Sequence, residues 1–341
     1  MERATAALAS TLRRRGHDTL IITAADAAPD SPDLVRLASL KVPFPTDDQA
    51  LREAIDGSDV AEELAGILHR HQADAVVYTD ALWGLGRAMA DHPARKVLAV
   101  HVVGHEEDLR PALATADTVI TPSATVLRQA AERGYPTAAW QVVPNTLLHD
   151  EAAWLDEIRR GRLRRRGPIR VLARPAPEKG VAELLDGVPD LDRPAEVMLG
   201  AAPFEQHDGI QAEIVRRCLA VRHPRLRVQA AGLAWRRVPS WLAGAAVVIV
   251  PSLAETFGLV ALEAMSVGTP VVAYDVGNLP DLIGSAGVIV ARDGGPEQLW
   301  RAAMTITRDP VTYLRISRAA YYRSRDFRPT TIAESFLKAV W

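Results

Sequence analysis

The sequence predicts an α/β protein made of two doubly wound, Rossmann-like domains, and three observations carry this. Short apolar runs bounded by turn residues alternate with stretches of helical periodicity along the chain. Such runs, apolar at nearly every position, belong to parallel sheets covered on both faces. The alternation breaks once, at a basic run from Arg159 to Arg166, and then restarts, and 341 residues give room for two domains of ordinary size.

Ala4, Ala7, Leu8 and Leu12 recur at three- and four-residue spacing, so they share one face of an opening helix that Gly16 ends. Leu20, Ile21 and Ile22 read as the strand that follows. Residues 28–48, rich in Pro and Asp, read as a long loop. A helix over 58–72 precedes a strand at 75–78. Residues 97–103 read as a further strand, 108–117 as a helix and 118–121 as a short strand. Ser123 is suited to cap the helix that runs to about Arg133. Val142 and Val143 lead into Pro144-Asn145, a turn signal. Residues 151–166 read as a charged helix with a basic end, taken as a solvated linker rather than a nucleic-acid or membrane patch. Strands are then predicted at 169–173, 196–199, 226–230, 246–251, 270–274 and 288–290. The expected domains are residues 1–165, residues 166–325, and a final helix over 326–341 packing back toward the first. Ligand sites belong at the carboxyl ends of the strands, facing the cleft between domains.

The formal net charge is −2, which argues against a nucleic-acid partner. The single cysteine, Cys218, excludes an internal disulfide or a Cys-based zinc cage and fits a reducing compartment. No stretch approaches the ~20 apolar residues of a membrane helix, and the start is too charged for a signal peptide. A cytoplasmic protein is the expectation.

The segment from Ala246 to Gly268 carries the chemistry. A buried strand ends at Pro251-Ser252, a short polar loop holds Glu255, and Gly258 opens a helix through Leu259, Val260 and Leu262. The free N–H groups from about Phe257 to Val260 and the positive end of the helix dipole suit a phosphate. Gly258 lets the backbone approach it. Glu255 and Glu263 flank this point, and carboxylates accept hydrogen bonds strongly from hydroxyls. Sugar, diphosphate and ribose in a row would meet such a spacing; so would two solvated acids.

Around those residues, Pro251, Ser252, Glu255, Phe257, Gly258, Glu263, Ala264, Gly268, Pro270, Val271 and Val272 resemble the donor-binding signature of the retaining glycosyltransferases of family 4, of GT-B fold. The run Ala173 to Gly180 resembles the family's Gly-Arg-x-x-x-x-Lys-Gly loop, with Ala173 in place of the first Gly. Gly277 to Ile283 resembles its Gly-Gly-x-Pro-Glu segment, with Asn278 for the second Gly and Asp281 for Glu. Pro144-Asn145 matches its Pro-Asn-Gly, with Thr146 for Gly.

The resemblance implies a GT-B protein that takes a sugar from a nucleotide-sugar, a UDP-sugar by preference. Arg174 and Lys179 would grip the diphosphate, Glu255 the sugar and Glu263 the ribose, with Phe257, Gly258 and Leu259 at the phosphates. Gly232 and Leu233 would lie at the nucleobase, and His101 near the reacting sugar. The implied reaction needs no metal and no cofactor beyond the donor. The expected acceptor is a small natural product, such as an aminoglycoside. Family members begin with a strand and a Gly-rich turn, whereas this sequence opens inside the helix that follows. The first strand is then missing, or the start lies upstream. Three rival readings stay open: a pseudo-glycosyltransferase with a cyclitol donor, a non-catalytic partner protein, and a nucleotide-sugar epimerase.

Overall fold

A computed structural model describes residues 2–23, 33–41, 48–55, 58–79, 83–104, 106–148, 155–200 and 209–341. The chain divides into two units: the first takes Met1–Thr146 and Pro329–Trp341, the second most of Leu147 to Arg328.

The first unit contains α1 (Glu2–Arg14), β1 (Ile21–Thr23), β2 (Leu34–Arg36), α2 (Asp48–Ile55), α3 (Ser58–Arg70), β3 (Ala75–Thr79), α4 (Trp83–Ala88), β4 (Arg95–Ala99), α5 (Glu106–Thr115), β5 (Thr118–Thr121), α6 (Ala124–Glu132) and β6 (Gln141–Val142). The last four strands form a parallel sheet in the order β3-β4-β5-β6, and β1 and β2 form a separate parallel pair. The apolar run in β4 is continuous because both faces are covered. Leu98 and Val100 face Leu64, Leu109 and Val126, while Val97 and Ala99 belong to a second cluster with Leu12 and Ile120. Ser123 caps α6, its hydroxyl accepting from the Val126 N–H at 3.3 Å.

Two expectations need correction here. The loop read over 28–48 lies partly outside the described residues, but Leu34–Arg36 within it is a strand, paired in register with Ile21–Thr23. Glu63 of α3 then holds the chain after β2, accepting from the Ala38 N–H at 2.9 Å and the Ser39 N–H at 2.7 Å, while Leu37 and Leu40 are buried. The strand read at 97–103 is shifted to Arg95–Ala99. Arg95 and Lys96 can stay in it because Arg95 Nη2 donates to Thr118 Oγ1 at 3.1 Å and Lys96 Nζ to the His92 carbonyl at 3.0 Å. The chain bends at His101.

The second unit contains α7 (Glu157–Arg166), β7 (Ile169–Ala173), α8 (Val181–Asp186), β8 (Ala195–Leu199), α9 (Ile210–Ala220), β9 (Leu226–Gln229), α10 (Val238–Ala243), β10 (Val247–Val250), α11 (Leu259–Ser266), β11 (Val271–Tyr274), α12 (Leu279–Ile283), β12 (Gly287–Val290), α13 (Gly295–Arg308) and α14 (Pro310–Ser324). Its six strands are all parallel, in the order β12-β11-β10-β7-β8-β9. β10 is buried at every position, Val247 and Ile249 toward one cluster and Val248 and Val250 toward the other. Two buried polar groups bond to backbone carbonyls: Trp300 Nε1 donates to that of Leu184 at 2.9 Å and the Tyr313 hydroxyl to that of Ala246 at 2.8 Å.

The basic helix is not a solvated linker. α7 packs on the second unit through Arg160, which is 2% exposed. Arg160 Nη1 donates to Thr269 Oγ1 at 2.8 Å and its Nη2 donates to the Ala243 carbonyl. Arg164 Nη1 donates to the Thr307 carbonyl at 2.8 Å. A guanidinium can be buried when its donors meet acceptors, and a charge pattern cannot reveal where those acceptors lie.

The final helix, α15 (Pro329–Val340), belongs to the first unit. Its Ile332, Ala333, Phe336 and Val340 cover the face of the first sheet that carries Val97 and Ile120, alongside Leu12 of α1.

Candidate functional site

The chain lays down β7, β8 and β9 outward on one side of the second sheet, then returns to place β10, β11 and β12 on the other. The order therefore reverses between β7 and β10, and the loops leaving those strands diverge, the usual position of a ligand crevice. Both loops carry residues singled out by the sequence. Arg174 and Lys179 follow β7, and Glu255, Phe257 and Gly258 follow β10.

The two loops are locked together. Gly180 has φ +59°, and a Cβ there would lie 2.2 Å from the Pro251 carbonyl oxygen, so only glycine permits the approach. The Leu253 N–H donates to the Glu178 carbonyl at 2.8 Å. This brings Lys179 Nζ to 3.0 Å from Glu255 Oε2, and the Ser252 hydroxyl donates to the same oxygen at 3.2 Å. The paired side chains are 20% and 14% exposed. Arg174 is more open, with Glu178 Oε1 3.5 Å from its Nη2.

The Glu255 loop is also held from the α12 side. Gly277 has φ +54°, and a Cβ there would meet the Glu255 carbonyl oxygen at 1.8 Å. Asn278 donates its backbone N–H to that carbonyl at 3.1 Å and its side-chain Nδ2 to the Phe257 carbonyl at 2.9 Å. The buried Phe257 ring meets Phe327 edge-on at 5.8 Å between centroids. Gly258, at φ +104°, then starts α11 without a side-chain cap. The first N–H groups of such a helix find no acceptor within it and lie at the positive end of its dipole.

Glu263 sits in α11, whose other residues are apolar save Ser266 at its end, and is 4% exposed. Burying a carboxylate is costly, so its place there argues for a use beyond packing. The Gly232 N–H donates to the Leu199 carbonyl at 3.1 Å, tying the loop after β9 to the end of β8. Leu233 packs against the hydrophobic cluster that contains Phe257. His101 belongs to the first unit, half-buried in the bend after β4. The structure thus brings Lys179 and Glu255 into contact and sets the loop that carries Arg174 against the Glu255 loop. Among the described residues no group of three His, Cys, Asp or Glu is arranged to hold a metal ion.

Ser252, Gly180, Gly277 and Asn278 entered the sequence reading only as motif positions. Their roles as fasteners come from the structure. The signal was two glycines at loop ends, whose need for positive φ appears only once the neighbouring loop is known.

The chemistry on offer is specific. A cation pair and an open helix start meet an anion's oxygens, and two carboxylates within one loop-and-helix segment meet hydroxyls. Comparison with known proteins agrees. A family model described as "Glycosyl transferases group 1" matches residues 169–309, and one described as "Glycosyltransferase Family 4" matches residues 1–147. The D-inositol 3-phosphate glycosyltransferase of Kribbella flavida is 34% identical over 169 residues, 47% of this chain and 38% of that protein. The chain matches well under half the length of such curated relatives. Among solved structures, sucrose-phosphate synthase from Thermosynechococcus elongatus superposes with a TM-score of 0.78 at 20% identity, over 97% of this chain and 90% of that one. Anabaena HepE, solved in complex with UDP and glucose, gives 0.74 at 20% identity, over 98% and 94%. With matched models covering both of its halves and with the GT-B fold, the chain belongs to the group 1, family 4 glycosyltransferases.

Proposed function

We propose that the chain transfers a sugar from a nucleotide-sugar, a UDP-sugar by preference, to a small polar acceptor, with retention of anomeric configuration. The observation that carries the donor half is the Lys179–Glu255 contact at the reversal of the second sheet, three residues before an open helix start. Lys179, Arg174 and the N–H groups from Phe257 to Leu259 hold the diphosphate and stabilise its charge as the glycosidic bond breaks. Glu255 fixes the sugar hydroxyls and Glu263 the ribose. Gly232 and Leu233 border the base.

The acceptor hydroxyl attacks the anomeric carbon from the face the phosphate leaves. The new C–O bond forms as the old one breaks, and the acceptor proton passes to the leaving phosphate. No enzymic nucleophile is invoked, which is why no basic group need stand beside the anomeric carbon. His101 donates to or accepts from a hydroxyl of the reacting sugar. A small acceptor, of natural-product or polyol type, accords with curated relatives named for an inositol phosphate.

The test is a thermal titration with UDP, GDP, ADP and dTDP. A diphosphate at 100 times its Kd raises stability by about 2.7 kcal/mol. One nucleotide is expected to do so, and Glu263→Ala and Arg174→Ala to abolish the rise. A flat response to all four would overturn the reading.

A further inference from the structure

α7 carries six arginines in ten residues, and the fold divides them. Arg160 and Arg164 turn inward and spend their donors on Thr269, Ala243 and Thr307. Taking about 100° per residue, Ile158, Arg159, Arg162, Arg165 and Arg166 fall on the opposite side, within an arc of about 120°. All five are exposed, Ile158 by 72%.

Several exposed arginines on other helices pair with a carboxylate one turn away, Arg110 with Glu106, Arg216 with Glu213 and Arg301 with Glu297, while Arg128 and Arg315 make no such pair among the described residues but are single side chains rather than four on one arc. None of the four on the outer arc has an acidic partner among the described residues. The described acids next to α7 are already engaged. Glu157 binds Arg318 through both oxygens at 2.6 and 2.7 Å, Asp156 caps α7 itself, Asp192 pairs with Arg193 at 3.0 Å, and Asp309 caps α14. Complementing the helix dipole accounts for the last turn but not for Arg159 and Arg162. Arg162, Arg165 and Arg166 also line a groove with Leu163, Gly167 and Pro168.

We propose that this outer arc of α7 docks the protein on an anionic lipid bilayer, with headgroup phosphates on the four guanidiniums and Ile158 reaching the interface. Two features favour a bilayer over a nucleic acid. The arc presents an exposed aliphatic side chain and no aromatic on which a base could stack. The four guanidiniums stand on one face of a ten-residue helix, a patch too short to track a nucleic-acid backbone over many phosphates, in a chain of net charge −2. The proposal is independent of the reading of the donor site.

The experiment is co-sedimentation of the full chain with vesicles of phosphatidylcholine alone or with about one third phosphatidylglycerol, at low and high salt. Each arginine near an anionic bilayer changes partition by about fivefold. Binding at least tenfold stronger to the acidic vesicles is expected, weakened by salt. The variant with Arg159, Arg162, Arg165 and Arg166 replaced by Gln should lose it, while keeping the wild-type melting temperature. A control removes the same charge elsewhere, at Arg216, Arg222, Arg301 and Arg315, and should keep it. Absence of binding to acidic vesicles, retention by the α7 variant, or equal loss in the control would overturn the proposal. So would a single-stranded RNA oligomer that binds through the same four arginines and displaces the vesicles.

Discussion

Lys179 and Glu255 meet at 3.0 Å, so a cation suited to a phosphate and a carboxylate suited to a sugar neutralise each other across two loops. The Ser252 hydroxyl, on the same Glu255 oxygen, fixes the carboxylate's direction. The pair is about four-fifths buried, where its attraction is less screened than that of a surface pair.

An incoming diphosphate must therefore compete with Glu255 for Lys179. Glu255→Gln keeps the shape and removes the competitor, so pyrophosphate should bind several-fold more tightly to it. Lys179→Met should weaken pyrophosphate by about tenfold or more, the scale of one charge-assisted hydrogen bond. Calorimetric titration of both variants reads the two signs. Weaker pyrophosphate binding by Glu255→Gln would show that Glu255 supports the anion site rather than opposing it.

Asn278 fastens both ends of the tripeptide that runs from Glu255 to Phe257. Asn278→Ala should cost about 1–3 kcal/mol, because the Phe257 carbonyl loses its donor in a buried place. Asn278→Asp should cost more, since a carboxylate would then face that carbonyl. Urea unfolding gives the cost, and nucleotide titration shows whether the loop has loosened. A melting profile and affinity unchanged in both variants would sink the role.

The parts of the fold legible in the sequence were those where pattern and burial coincide. β10 and β11 are apolar at every position and buried at every position, and both were read from the run alone. Ser123 before Val126 was legible because an N-cap is a local signal. What was not legible depended on distant partners. Leu34–Arg36 is a strand because β1 lies beside it, and its three residues among Pro and Asp give no periodicity to read. The same holds within the site. Glu255, Glu263 and Lys179 stood out by residue type and spacing, whereas the positive φ of Gly277 gains its meaning from the Glu255 carbonyl it must pass.

Glu63 makes stability depend on acid pH. Burial acts to raise its pKa, but bonds from the Ser39 hydroxyl and the Ser39 and Ala38 N–H groups outweigh it, and the carboxyl is held below its ordinary value of 4.5. A lowered folded-state pKa contributes stability above the unfolded value and loses it as pH falls through the folded one. The difference in melting temperature between wild type and Glu63→Gln should be constant from neutral pH down to about 5 and shrink below the ordinary carboxylate range. A difference that persists undiminished at pH 3 would mean that the loop after β2 does not depend on the carboxylate charge.

Arg160 gives the sharpest test of how α7 is attached. Burial pushes its pKa down, yet arginine stays charged because its ordinary value is so high. Thr269 Oγ1 accepts from Arg160 while donating to the Leu242 carbonyl at 2.9 Å, so one threonine relays α7 to the end of α10. Arg160→Ala removes a charge-assisted bond and the packed side-chain stem, and leaves the Ala243 carbonyl without this donor. The expected loss is about 2–4 kcal/mol, against less than ~0.5 kcal/mol for Arg162→Ala on the exposed side of the same helix. Arg160→Met separates the two contributions, because it restores the stem and not the donors. Denaturant unfolding of the three variants should rank Arg160→Ala lowest, Arg160→Met between, and Arg162→Ala near wild type. Equal midpoints for Arg160→Ala and Arg162→Ala would return α7 to the status of a solvated segment.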